Sequence, residues 1–102
     1  MSGIANPYRY QYETVAVSQT GQVLGGTGAT GDYVHRLIIN TITVATAGVT
    51  LIDGSTSIVI QTAASGVIGV QSVEIGVASV TGAWKITTGA GATVVAVGIF
   101  SA

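Results

Sequence analysis

The stretch GDYVHRLIINTITV, Gly31 to Val44, decides how the rest of the chain is read. It is the longest β-type run, rich in Val, Ile, Thr and Tyr, side chains that suit a pleated, half-buried surface better than a helix. Its alternation is broken. Val34, Ile38, Ile42 and Val44 fall on one parity with Arg36 and Asn40 among them, while Leu37 and Ile39, followed by Thr41 and Thr43, fall on the other. A strand with one wet face should not be apolar on both. Either a bulge near Asn40 and Thr41 switches the inward set, or one face meets the core and the other a partner. The second arrangement is preferred because the composition points the same way.

Only 7% of the 102 residues are charged and 48% are hydrophobic, with 15 glycines besides; ordinary soluble domains carry about 25% charge. The net charge of -1 gives no electrostatic footprint for nucleic acid or an anionic membrane. A near-neutral, charge-poor surface does little to keep molecules apart, so association is the expected state. With no cysteine in the chain, disulfides, thiolate nucleophiles and Cys-based metal sites are excluded. The opening MSGIANPYRY has no basic region followed by an apolar one and no cleavage signature, which argues against export by a signal peptide. No uncharged apolar run approaches the 18 or more residues of a spanning helix. Aromatics at 6% without paired girdles argue against a transmembrane barrel.

Outward from the central stretch, residues 1–12 read as an extended N-terminal arm and residues 13–102 as a single domain. Pro7 interrupts regular pairing, and Tyr8, Tyr10 and Tyr12 recur at period two, so in extended backbone they share a face. Such tyrosines can simply cover their own domain. Tyr and Arg are also favoured interface anchors. With Arg9 between the tyrosines, we read the arm as docking on a neighbour. Glu13 to Ser18 is a short alternating strand, and residues 20–32 form the main loop, with five glycines. After the central strand come Val49 to Ile52, an Asp53-Gly54 turn, and Ser57 to Thr62. Val70 to Val77, AWKITT after Gly82, and TVVAVGIF, Thr93 to Phe100, complete about seven strands. The last is apolar on both faces. Glycine turns and the absence of helical periodicity give an all-β fold, an antiparallel β-sandwich of jelly-roll or immunoglobulin-like type.

Several motifs invite chemistry that their surroundings do not support. Gly26 to Gly31 fits GxGxxG, and Asp53 lies at a suitable distance for a ribose contact. A dinucleotide site needs a helix N-terminus after the glycines, whereas Tyr33 to Ile39 is a strand sequence. His35 beside Asp32 or Asp53, with any of several serines, satisfies a triad description by chance, and no strained nucleophile turn accompanies it. His35 and Arg36 read instead as hydrogen-bonding or interface residues. Glu13, Asp32, Asp53 and Glu74 are scattered singly, so no calcium cluster shows. Trp84, the lone tryptophan, offers a carbohydrate-stacking platform, but in a small sandwich it more often anchors the core with its indole N–H bonded. No catalytic, cofactor or metal residue is assigned. The candidate site is an interface made of Pro7, Tyr8, Arg9, Tyr10, Tyr12, His35 and Arg36.

Three segments, YETVAVSQTGQVLGGTGATGDYVHRLII (Tyr12 to Ile39), LIDGSTSIVI (Leu51 to Ile60) and VEIGVASVTGAWKITTGAGATVVAVGIFS (Val73 to Ser101), cover most of the chain in order. Together they resemble small structural proteins of tailed bacteriophages, viewed as head decoration or cement proteins. The resemblance implies a β-sandwich, commonly a homotrimer, that sits on the outside of an icosahedral head and reinforces contacts between major capsid protein subunits. It implies a virion location after synthesis in the host cytoplasm, and brings no catalytic residues. Another virion part, a tail or head-fibre subunit or a glycan-binding adhesion module, is the alternative.

Overall fold

Among the described residues there are eight strands: β1 Gln11–Val15, β2 Gln22–Val23, β3 Tyr33–Thr41, β4 Val49–Asp53, β5 Thr56–Gln61, β6 Gly69–Ala78, β7 Trp84–Thr88 and β8 Ala92–Ile99. The computed structural model describes residues 10–102. A single 3-10 turn, Val44–Thr46, is the one other regular element among them. All pairing is antiparallel, in two four-stranded sheets ordered β1-β8-β3-β6 and β2-β7-β4-β5.

The long strands fall where β-branched runs placed them, with differences at the ends. β1 begins at Gln11 rather than Glu13, so Gln11 and Tyr12, assigned to the arm, pair with Gly98 and Val97 of β8. The strand stops at Val15, since the backbone turns through Ser18 and Gly21, both at positive φ. β2 lies inside the stretch read as a loop. Its two residues pair with Ile86 and Lys85, too short a ladder for any periodicity to reveal. At the β4–β5 hairpin, Asp53 pairs with Thr56, leaving Gly54 and Ser55 as the turn, with Gly54 at φ +57°, a conformation open to glycine.

The broken alternation of β3 has a backbone cause. Its register against β8 shifts between Val34 and Arg36, so His35 is an extra residue that flips the parity of everything after it. Val34 faces the core before the bulge, and Leu37, Ile39 and Thr41 face it afterwards. The switch therefore sits at His35 and not near Asn40 and Thr41, and this bulge, not the preferred arrangement of one core face and one partner face, accounts for the mixed parity. Ile42, grouped by parity with Val34, is exposed.

Residues opposite each other on neighbouring strands share a face, so the register gives the layers. Val15, Val94 and Ile39 form one inward row across β1, β8 and β3, and Ala96 and Leu37 belong to the next. In the second sheet, Ile86 and Leu51 form the matching row. These residues, with Leu24, Val34, Val49 and Trp84, make one hydrophobic cluster drawn from both sheets. Each fully buried side chain of this kind contributes about 1.5–3 kcal/mol. Trp84 sits in the cluster, and its Nε1–H donates to the Asp32 carbonyl oxygen at 2.8 Å. That is the core role expected of a lone tryptophan.

Candidate docking face

The outward rows of the first sheet run across all four strands. Tyr12, Val97, Arg36 and Glu74 stand in line on β1, β8, β3 and β6, followed by Thr14, Val95, Ile38 and Ser72, and then by Thr93, Asn40 and Val70. Apolar groups thus occupy the middle of the face, with one cation and one carboxylate toward one end. Tyr12 is 72% exposed and lies two strands from Arg36, about 10 Å at the usual strand spacing. Val95 and Val97 are half-buried, because β8 lies between β1 and β3 and their side chains partly cover it.

At one end of the face an aromatic group gathers where the chain enters. Tyr10 stacks on His35 with ring centroids 4.5 Å apart and planes 13° from parallel, and Tyr33 lies 6.1 Å from Tyr10 and 6.3 Å from His35. Offset stacks of this sort contribute about 0.5–1.5 kcal/mol beyond area burial. The bulge is what makes the stack possible, since it turns His35 outward next to Arg36. Arg36 Nη2 lies 3.4 Å from His35 Nε2. A guanidinium only donates, so Nε2 accepts and a neutral ring carries its proton on Nδ1. That Nδ1 is buried and has no hydrogen-bond partner among the described residues. The Tyr33 phenol is held protonated above its ordinary range, foremost by burial, then by the neighbouring Tyr10 and by the Glu74 carboxylate.

Four of the seven interface residues read from the sequence therefore lie on one face: Tyr10, Tyr12, His35 and Arg36. Pro7, Tyr8 and Arg9 lie outside the described residues. The sequence reading missed Val95, Val97 and Ile38 as members of the same surface. The signal was present, since Thr93 to Phe100 is apolar on both faces, but only the register shows which parity points out.

Three of the four carboxylates are engaged in holding loops. Asp32 accepts the backbone N–H groups of Ala29 and Ser101 at 3.1 and 2.9 Å and the Ser101 hydroxyl at 2.7 Å. Asp53 accepts those of Val80, Thr81 and Gly82, and the Thr81 hydroxyl at 3.2 Å. Burial alone would raise the Asp53 pKa. These hydrogen bonds to the ionised form outweigh it and hold the carboxyl below its ordinary value. Glu13 accepts Gly25 N–H at 2.7 Å and the Gln22 amide at 2.8 Å. His35 is thus stacked on Tyr10 and beside Arg36, paired with neither aspartate. Among the described residues no group of three His, Asp or Glu side chains converges as a metal site. The GxGxxG stretch is a folded loop packed against the C-terminal residues: Gly28 N–H donates to Ser101 O at 3.3 Å, and a Cβ on Gly26 would lie 2.7 Å from Ala102 C. It leads into β3, not into a helix.

No family model, curated protein or solved structure matches the chain.

Proposed function

We propose that this chain is a structural protein of a tailed-phage virion, a head decoration protein that binds the outside of the capsid and reinforces contacts between major capsid subunits, working as a homotrimer. The observation that carries the reading is the outward face of the first sheet, where Tyr12, Val97, Ile38 and Val95 form an apolar band beside Arg36 and the Tyr10–His35 stack. On a chain with so little charge, such a band suits a permanent neighbour better than water. The segmental resemblance to cement proteins supplies the kind of neighbour. A trimer that engages equivalent capsid sites together gains effective concentration, so each contact can be modest.

The finer fold reading belongs to the same proposal. Neighbouring strands pair as 1 with 8, 2 with 7, 3 with 6 and 4 with 5, the pattern of one long hairpin rolled up, which favours a jelly-roll sandwich over the immunoglobulin-like order. Of the alternatives, a glycan platform at Trp84 loses support because the indole is buried and hydrogen-bonded.

The test is sedimentation of purified protein with undecorated heads, followed by counting copies per particle. Hundreds of copies on the lattice support the proposal, and a handful at a vertex or tail points to a fibre part. Ile38→Lys and Tyr12→Lys, both on the outward face, should abolish binding while leaving the circular dichroism spectrum unchanged. Deleting residues 1–9, which leaves β1 entire, should lower occupancy. Unchanged binding by all three variants would remove this face and the arm from the interface.

A further inference from the structure

Among the described residues, Glu13, Asp32 and Asp53 hold loops, and Lys85 lies on the second sheet, paired with Val23 and Ile52. Two charged side chains remain, Arg36 and Glu74, opposite each other on β3 and β6 in the outward face of the first sheet and both exposed. Directly opposed side chains have Cβ atoms about 5 Å apart, close enough for an ion pair. None forms among the described residues. The Arg36 guanidinium turns instead to its own neighbour, with Nη2 3.4 Å from His35 Nε2. The backbone builds that orientation: the bulge sets His35 beside Arg36 on the outward side, and Tyr10, stacked on the imidazole at 4.5 Å, fixes the ring. Nε2 serves as acceptor even though Nδ1 is left buried with no hydrogen-bond partner among the described residues, an unfavourable arrangement by itself. One of the five guanidinium N–H groups is thus engaged, and the other four meet no acceptor among the described residues. A fork held at one corner and open on the rest matches a carboxylate, which accepts two parallel N–H bonds.

We propose that Arg36 is the polar anchor of the docking face and binds a carboxylate on the capsid surface, and that His35 is the positioning residue that keeps the guanidinium off Glu74. The inference deepens the decoration reading and rests on it for the identity of the partner. Charge decides the kind of group that Arg36 takes. A cation attracts an anion, and Glu74 on the next strand repels a highly charged one, so a singly charged carboxylate is accommodated where a phosphate or a nucleic acid is not. An arginine already paired with Glu74 would have to break that pair before docking; one held open by His35 meets its partner in place. The apolar band of Tyr12, Val97, Ile38 and Val95 supplies affinity, while the anchor sets the register in which the two surfaces meet.

Sedimentation of the full chain with two preparations of undecorated heads tests it, one untreated and one whose carboxylates have been converted to neutral amides with carbodiimide and glycinamide. Arg36 is exposed, so its variants should keep the wild-type melting curve. On untreated heads Arg36→Gln should bind about tenfold more weakly than wild type, and Arg36→Lys should recover only part of that loss, because an ammonium lacks the fork. On treated heads the wild-type chain should fall to the level of Arg36→Gln, and the variant should weaken no further. His35→Phe keeps a ring to stack on Tyr10 and removes the acceptor. It should weaken binding about threefold, and adding Glu74→Gln should restore it, although Glu74→Gln alone leaves wild-type binding within roughly twofold. A merely structural role for His35 gives no such rescue, and its absence overturns the positioning role. Arg36→Gln or Arg36→Lys binding as tightly as wild type overturns the anchor. So do treated heads that lose wild type and Arg36→Gln equally, or that lose neither. A wild-type chain that ignores untreated heads sinks the decoration reading and this inference with it, whereas binding indifferent to Arg36 sinks the inference alone.

Discussion

Individual side chains divide here into those that hold the fold and those that stay exposed on its surface. Trp84 holds the fold. Replacing it with Ala removes the largest buried side chain and should cost about 3–5 kcal/mol, measured by urea unfolding. Trp84→Phe keeps much of the volume and loses the bond to the Asp32 carbonyl, for a smaller cost of about 1–2 kcal/mol. Asp53 is the pH-sensitive member. Its carboxyl titrates below its ordinary value in the folded chain, so its contribution is fully present above the unfolded value of about 3.9 and fades as pH falls toward the folded value. Melting temperature should therefore drop on acidification below about pH 4. Asp53→Asn should melt lower than wild type at neutral pH, because an amide offers a single acceptor oxygen to three backbone N–H groups. It should also lose part of the acid-dependent decline. A variant that declines as steeply as wild type would assign the acid lability to the other carboxylates.

At the scale of elements, close backbone approach decides several turns. Gly91 opens β8 by accepting Ile42 N–H and Thr43 N–H at its carbonyl while donating to Thr46 O at 3.0 Å. A Cβ there would lie 2.1 Å from the Thr43 carbonyl oxygen. Gly91→Ala should cost about 1–3 kcal/mol through forced backbone movement, read as a shifted denaturation midpoint with an unchanged slope. This contact explains what could be read in advance and what could not. β3, β4, β5 and β8 were legible because runs such as Tyr33 to Thr41 combine β-branched residues with alternation, and the Asp53-Gly54 turn has its own chemistry. The two-residue β2 was not, since a pair of residues has no period. The bulge at His35 left a trace in the parity of β3, yet sequence alone could not locate it, because moving it by a few residues reassigns Leu37, Ile38 and Ile39 together. The candidate face was half legible. Tyr10, Tyr12, His35 and Arg36 stood out as residue types, whereas Ile38, Val95 and Val97 join them only through cross-strand register. The loop-holding roles of Asp32, Asp53 and Glu13 left no sequence signal, since most of their partners are backbone N–H groups, as many as 69 residues away.

Over the whole molecule, scarce charge governs how it meets anything else. With seven ionised side chains in 102 residues, and Asp32, Asp53 and Glu13 committed to loops, little remains for long-range attraction. Association through the outward face of the first sheet would then come chiefly from apolar burial. Coulombic contacts between exposed groups weaken as the screening length falls from about 10 Å at 0.1 M salt to about 3 Å at 1 M. Apolar burial does not weaken with it, and sulfate strengthens it by exclusion from the surface. Raising sodium chloride from 0.1 to 1 M should therefore change the self-association constant by no more than about threefold, a shift under 1 kcal/mol and so the size of a single exposed ion pair. Sodium sulfate at equal ionic strength should tighten association. A loss of association of tenfold or more in sodium chloride would mean that the few charges, Arg36, Glu74 and Lys85 foremost, carry the contact.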